Sequence, residues 1–237
     1  MKKIKRIVMI ILLICIAGVA FFICRGYSMY EQALANMSIE DKIASIESQE
    51  NYTKIDDMPK NYTNAVVAVE DHRFYTHGGI DIISVGRAII TNIKEMDFVE
   101  GGSTITQQLA KNIYFTQDRE ITRKIAEVFM AIELEKSCSK DKILELYVNT
   151  SYFGSGYYDV KSACEGYFDK EVQEMDLYEC TLLAGIPNAP SVYDPTVNPD
   201  LAQQRQKVVL SRMVEHGYID EEAVNSIIDI RYDTRYV

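Results

Sequence analysis

The five cysteines include no Cys-x-x-Cys pair, so the spacing used by zinc and thioredoxin-type sites is missing. Cys15 and Cys24 lie in an N-terminal apolar run. The other three, Cys138, Cys164 and Cys180, are an odd number and complete no disulfide framework. Five prolines and twelve glycines in 237 residues are too few for a disordered chain. Few stretches alternate apolar and polar residues as half-buried strands do, and neither an internal repeat nor a low-complexity tract is present. Basic residues are the minority, 25 Lys and Arg against 35 Asp and Glu. The resulting net charge of −10 argues against a general nucleic-acid binder, which carries a basic field. What remains is a chain with 47% hydrophobic residues, enough for a core in one or two domains. Its class reads as mainly α.

Ile7 to Cys24 contains no charge and follows Lys2, Lys3, Lys5 and Arg6. As a helix this run rises about 27 Å, close to a bilayer core. It ends on Phe21-Phe22-Ile23-Cys24, which is no A-x-A cleavage site, so the run reads as an uncleaved anchor. Residues 1–6 are then a cytoplasmic tail, 7–24 a single transmembrane span, and everything beyond is extracytoplasmic. The part beyond residue 25 has 20 basic and 35 acidic residues, so any anion site on it must be local. Residues 25–60 read as a connector. Tyr30 to Ile46 has moderate helical periodicity, and a stalk and a first packed helix both remain open. Residues 61–220 form the main domain, and 221–237 a tail or short helix.

The main domain reads as helices. Thr63 to Phe74 is apolar at its centre. Asp81 caps a helix to about Lys94, with Ile82, Val85, Ile89 and Ile93 along one side. That side either packs in the core or dips into lipid. Residues 94–100 form a loop, and Gly101-Gly102-Ser103-Thr104 opens a helix to about Asn112. Asp118 caps the next, whose buried face is expected to carry Ile121, Ile125, Phe129 and Ile132. Ser139 caps residues 140–149, Asp176 and Glu179 have capping-box spacing, Asn198-Pro199 starts a helix that Gly217 stops, and Asp220 caps a last one.

Three clusters carry chemistry. An apolar run, Ala65 to Val69, delivers Glu70 and Asp71 to its end. The chain then turns through His72-Arg73-Phe74-Tyr75-Thr76-His77-Gly78-Gly79, a way to aim a carboxylate into a cleft. Structural hydrogen bonding suits the two histidines better than metal ligation. The Gly-Gly-Ser-Thr helix start offers backbone N–H groups to an anion, with Gln107, Gln108, Lys111 and Asn112 following; it is no Walker A loop. Arg119, Arg123 and Glu127 recur every four residues, with Lys124 beside them, opposite the apolar stripe. A solvated face of ion pairs would look the same. However, Lys111, Arg119, Arg123 and Lys124 reverse the local sign of an acidic domain, which points to an anionic ligand.

These blocks resemble family 51 glycosyltransferases, the peptidoglycan glycosyltransferase module of class A penicillin-binding proteins, in its free-standing form. The resemblance rests on Glu70-Asp71-His72-Arg73-Phe74-Tyr75-x-His77, on Gly101 to Asn112, on Arg123-Lys124-x-x-Glu127, on Lys142 to Gly156 and, less closely, on Arg205 to Met213. They cover residues 60–215 in the family's order. Asp159 and Asp169 depart from it, standing where glycine is common, as does Gln204 where a second Arg is common.

The resemblance implies a lysozyme-like helical fold that polymerises lipid II into glycan strands for the cell wall. Glu70 is then the general base. Lys111, Arg119, Arg123 and Lys124 receive the pyrophosphate. Asp71, Phe74, Gln107 and Gln108 shape the acceptor side, and Ser103, Thr104 and Asn112 complete the substrate set. Glu127, the second catalytic acid, either holds a divalent cation, Mg²⁺ or Mn²⁺, or orients Arg and Lys. The expected partners are lipid II, the growing strand, the membrane and separate transpeptidases, with no nucleic acid. Ser137-Cys138-Ser139-Lys140 has S-x-x-K spelling but no S-x-N or K-T-G partner, so no transpeptidase activity is expected. A lytic enzyme using Glu70 as acid and a non-catalytic lipid II scaffold are the rival classes.

Overall fold

The computed structural model describes residues 2–95, 101–115 and 121–232. Asp118 as a cap, Arg119 as a cation and residues 96–100 of the expected loop lie outside the described residues. Those described form helices joined by turns, with no strand. The first helix, α1 (Lys2–Asn36), contains the whole apolar run and continues past it without a break. Its side chains from Ile7 to Ile23 are exposed, and by length and composition it can cross a bilayer. Ser38 caps α2 (Ile39–Glu47), whose Ile39 and Ile46 enter the core. Of the two readings of this region, the structure has the packed helix. Thr53 exchanges two backbone hydrogen bonds of 2.8 Å with the Asn149 side chain, and Glu145 accepts from Ile55 N at 2.7 Å.

In α3 (Lys60–Glu70), Tyr62 and Ala65 to Ala68 are buried, and the helix stops at Glu70. Asp71 leaves helical space at φ −162° and ψ 73°, so the acidic pair sits on a sharp corner. Then come α4 (Ile82–Glu95), α5 (Ile105–Tyr114), α6 (Ile121–Ser137) and α7 (Lys140–Val148). The chain continues with α8 (Val160–Phe168), α9 (Leu177–Gly185), α10 (Pro199–Glu215) and α11 (Glu221–Tyr232). Helix α3 packs on α9 and α10, while α5 packs on α6 and α7, and α1 lies on α6. A cleft separates these two groups. The caps at Asp81, Ser139, Asp176 and Asp220 form as expected, since a side-chain acceptor two or three residues ahead of an orphan N–H needs no tertiary context.

One expected face is wrong, and on a second helix one of two alternatives fails. The buried side of α6 is Thr122, Ala126, Glu127, Met130, Ala131 and Leu134, whereas Ile121 and Ile132 are exposed. Ile125 and Phe129 meet α1 instead of the core. Arg123 and Glu127 of the charged stripe therefore face inward, because the cleft on that side lets buried charges pair. On α4, Ile82, Ile83, Ile89, Ile90 and Ile93 are all more than half exposed, so the core-packing alternative for this helix fails.

Residues 71–81 are pressed against α6 at Gly79. A Cβ there would lie 2.7 Å from the Ala131 carbonyl carbon and 2.8 Å from Ile132 N, which are backbone atoms that cannot move aside. Gly79→Ala is therefore expected to destabilise the fold by about 1–3 kcal/mol. Gly78→Ala, with open space at its Cβ, serves as the control in a thermal melt.

Candidate active site

Glu70 projects from the end of α3 into a cleft of about 630 Å³. Its side chain is 7% exposed. Oε2 accepts a hydrogen bond from Gln108 Nε2 at 2.8 Å, and Oε1 faces Arg205 Nη2 on α10 at 3.4 Å. Gln108 is fixed from behind, its Oε1 accepting from the buried Tyr147 hydroxyl at 3.2 Å. Burial, and next the charge of Glu70, raise the Tyr147 pKa well above its ordinary value, so this hydroxyl stays a donor. A relay from α7 through α5 to α3 thus sets the orientation of one carboxylate.

Asp71 does a different job. Its Oδ2 accepts from Ile105 N at 3.1 Å, and Oδ1 lies 2.7 Å from His77 Nε2. A carboxylate on the first turn of α5 is favoured by the helix dipole. Thr104 and Gln107 close a reciprocal capping box, with Thr104 N donating to Gln107 Oε1 and Gln107 N to Thr104 Oγ1. These contacts consume the N–H groups of Thr104, Ile105 and Gln107, which are therefore not open to an anion. Asp71, Thr104 and Gln107 still line the cleft. Phe74 does not: it is fully buried, with Lys140 Nζ 4.3 Å from its ring centroid. The corner at Asp71 turns residue 74 under the cleft floor. Asn112 also falls outside the cleft lining.

Across the cleft, α6 builds a cationic cluster on a buried acid. Glu127 is 1% exposed. Its Oε1 pairs with Arg123, and its Oε2 lies 2.9 Å from Lys124 Nζ. Lys124 also donates to Ser103 Oγ at 2.8 Å, tying the Gly-Gly-Ser-Thr segment to α6. Lys111 completes the cluster from α5. Burial lowers its pKa, Arg123 and Lys124 push it the same way, and Glu127 and Glu70 pull it back. A carboxylate on one wall and a cation cluster on the other share this cleft.

The family model described as Transglycosylase matches residues 39–214. This chain belongs to that family. It is a glycosyltransferase, helical throughout its described residues. Relatives include penicillin-binding protein 1A of Aquifex aeolicus, 47% identical over 189 residues, and penicillin-binding protein 1F of Bacillus subtilis, 47% over 188. Each match takes in 78% of this chain and 26% of the relative, so the chain spans about a quarter of the curated relatives' length. A crystal structure of penicillin-binding protein 1A from Haemophilus influenzae superposes with a TM-score of 0.46 at 23% identity, over 76% of this chain and 17% of that one.

The divalent cation that the family resemblance places at Glu127 does not fit this transglycosylase site. Both Glu127 oxygens already face cations, and a metal ion bound there would sit beside two fixed positive charges. What the structure shows is Glu127 in ion pairs with Arg123 and Lys124. A second metal-like group, Asp71, His77 and Asp81, brings three ligand atoms within 4.8 Å. Asp71 is held by His77 and Ile105 N, and Asp81 by Arg73 at 3.0 Å and by the N–H groups of Ile83 and Ser84. It is a hydrogen-bonded clamp.

Reading the sequence assigned no role to Arg205 in steering Glu70, although its block was recognised. It also missed the parallel stack of His72 on His216, centroids 4.5 Å apart, which joins the catalytic corner to the end of α10. Two histidines distant in sequence give no local signal. His77 has a pH signature. Burial pulls its pKa down, but hydrogen bonds to Asp71 and the Gly78 carbonyl outweigh this and raise it. A raised folded-state pKa contributes stability that is fully present below the unfolded value near 6.5 and is lost as pH rises through the folded value. The melting-temperature difference between wild type and His77→Gln should therefore be larger at about pH 5.5 than at about pH 8.5. A difference that grows with pH would contradict this.

Proposed function

We propose that this chain polymerises lipid II into β-1,4-linked glycan strands of peptidoglycan, releasing undecaprenyl pyrophosphate. The observation that carries the reading is the pairing of one oriented carboxylate, Glu70, with a preformed cation cluster across the same cleft. A glycosidase expelling a sugar alkoxide needs two working carboxyl groups, one acid and one base or nucleophile. A pyrophosphate leaves as a stable anion and needs positive charge in place of a proton. Here the other buried carboxylates on the cleft are committed: Glu127 to its cations, Asp71 to His77 and Ile105 N, and Asp81 to Arg73 and the first turn of α4.

In this mechanism Glu70 takes the proton from the 4-hydroxyl of the acceptor sugar as that oxygen attacks C1 of the donor. The C1–O bond to pyrophosphate breaks, its electron pair leaves on the phosphate oxygen, and the α linkage becomes β. Lys111, Arg123 and Lys124 receive the departing charge, joined by Arg119 in the full substrate set. Gln108 and Arg205 aim the base.

The reading puts the cleft outside the cell, with α1 as a single-pass anchor and the exposed isoleucine face of α4 resting in lipid. These 237 residues hold no partner set for acyl transfer, so the activity proposed is glycosyl transfer alone, with cross-linking left to separate transpeptidases. Incubating labelled lipid II with the reconstituted protein should give a ladder of glycan polymer on a gel. Glu70→Gln should lower the rate by about 10²–10⁴-fold while the protein still folds. Shortened soluble muropeptides released from existing glycan would instead favour a lytic enzyme, and lipid II binding without polymer a scaffold.

A further inference from the structure

The membrane helix and the cation cluster share α6. Arg123, Lys124 and Glu127 point into the cleft, and Thr122, Ile125 and Phe129 meet α1. At about 100° per residue these sets occupy opposite sides of one helix. Contact is closest at Gly26, which is buried. A Cβ on residue 26 would lie 2.5 Å from Ile125 Cγ2 and 3.0 Å from the Thr122 carbonyl oxygen. One turn on, Tyr27 and Tyr30 pack on Phe129 with ring centroids 5.2 and 5.9 Å apart. A tether would need a flexible joint between membrane and domain. Instead α1 is unbroken from Lys2 to Asn36.

The contact also fixes a height. Gly26 stands two residues beyond the last residue of the charge-free run, Cys24, a rise of about 3 Å. Arg123 and Lys124 directly follow Thr122, so they share the level of this contact to within about one helical turn, roughly 5 Å. The cation cluster is thereby held where the hydrocarbon ends and the headgroups begin, the depth at which the pyrophosphate of a lipid-linked sugar emerges.

We propose that α1 is a positioning element of the transfer site and that Gly26 is its positioning residue, seating the anchor on α6 so that Lys111, Arg123 and Lys124 meet the donor pyrophosphate at the membrane surface. This rests on the polymerase reading above. The chain has no tryptophan, so Ile121→Trp, at the exposed first residue of α6, is a lone depth reporter in the full chain reconstituted into liposomes. Brominated phospholipids should quench it, and adding Gly26→Leu should cut that quenching by about twofold or more. Gly26→Leu should also raise KM for lipid II in liposomes by about tenfold, while kcat/KM for a short-chain, water-soluble lipid II analogue stays within about twofold. Gly26→Ala should show a smaller loss, recovered only in part by Ile125→Ala, which removes Cγ2 at 2.5 Å but leaves Cβ at 2.7 Å. Unchanged quenching and bilayer kinetics would overturn the proposal, as would an equal loss on both substrates, which marks Gly26 as packing only. No polymer from the wild type with either substrate would refute the polymerase reading instead, and the quenching pair would still judge the docking by itself.

Discussion

A buried carboxylate, Glu127, holds two cations, and the cleft is arranged around that contact. An ionised acid taken almost wholly out of water is tolerable only when paired. Arg123 and Lys124 supply the pairing from the same helix, and in doing so they are fixed in place. Without the acid, Lys111, Arg123 and Lys124 would repel one another across a small space. With it they form one positive surface, and Lys124 reaches on to Ser103 at one side of the cleft. The opposite wall answers with Glu70, aimed by Gln108 and Arg205.

This division of labour separates two carboxylates that look alike in sequence. Glu70 has its donors on one side and the cleft on the other, so it is placed to meet a hydroxyl. Glu127 is enclosed. The scaffold that keeps them apart is equally specific: Asp71 tethers the catalytic corner to α5, Gly79 presses the following turn onto the α6 backbone, and Gly26 seats the membrane helix on the reverse of α6. The charged side chains facing one another across the cleft are thus few, and those that hold them come from most of the chain.

What could be read in the sequence was what is local. Helix starts at Asp81, Ser139 and Asp176 were legible because a cap and its partner lie within a few residues, and the one at Asn198-Pro199 because proline suits the first helical position. So were Glu70 at a turn and the cations around residue 123. What escaped was pairing over distance. Asp71 takes the N–H of Ile105, and Arg205 reaches Glu70 across 135 residues, so neither contact has a periodicity to reveal it. The α6 faces were misjudged because apolar spacing was taken to mark the core, while its exposed and α1-facing isoleucines and its inward acid obey the cleft and the anchor instead. Phe74 was placed in the cleft by association with its neighbours, yet one corner of backbone buries it. Two of the three family departures have a local structural role. Asp159 caps α8, which had gone unread, by accepting from Ser162 N at 2.7 Å, and Asp169 takes the left-handed position at φ 54° that ends α8.

The most direct test of the central claim is the affinity of undecaprenyl pyrophosphate for the liposome-reconstituted protein, wild type against Glu127→Gln, measured by titration calorimetry with and without EDTA. Simple charge counting says that removing a negative group should tighten the binding of an anion. A Glu127 that organises the cluster predicts the reverse, about tenfold weaker binding or more in either condition, because Arg123 and Lys124 lose the group that holds them. Equal or tighter binding by Glu127→Gln would contradict it, and a loss confined to EDTA-free buffer would return Glu127 to the role of metal ligand.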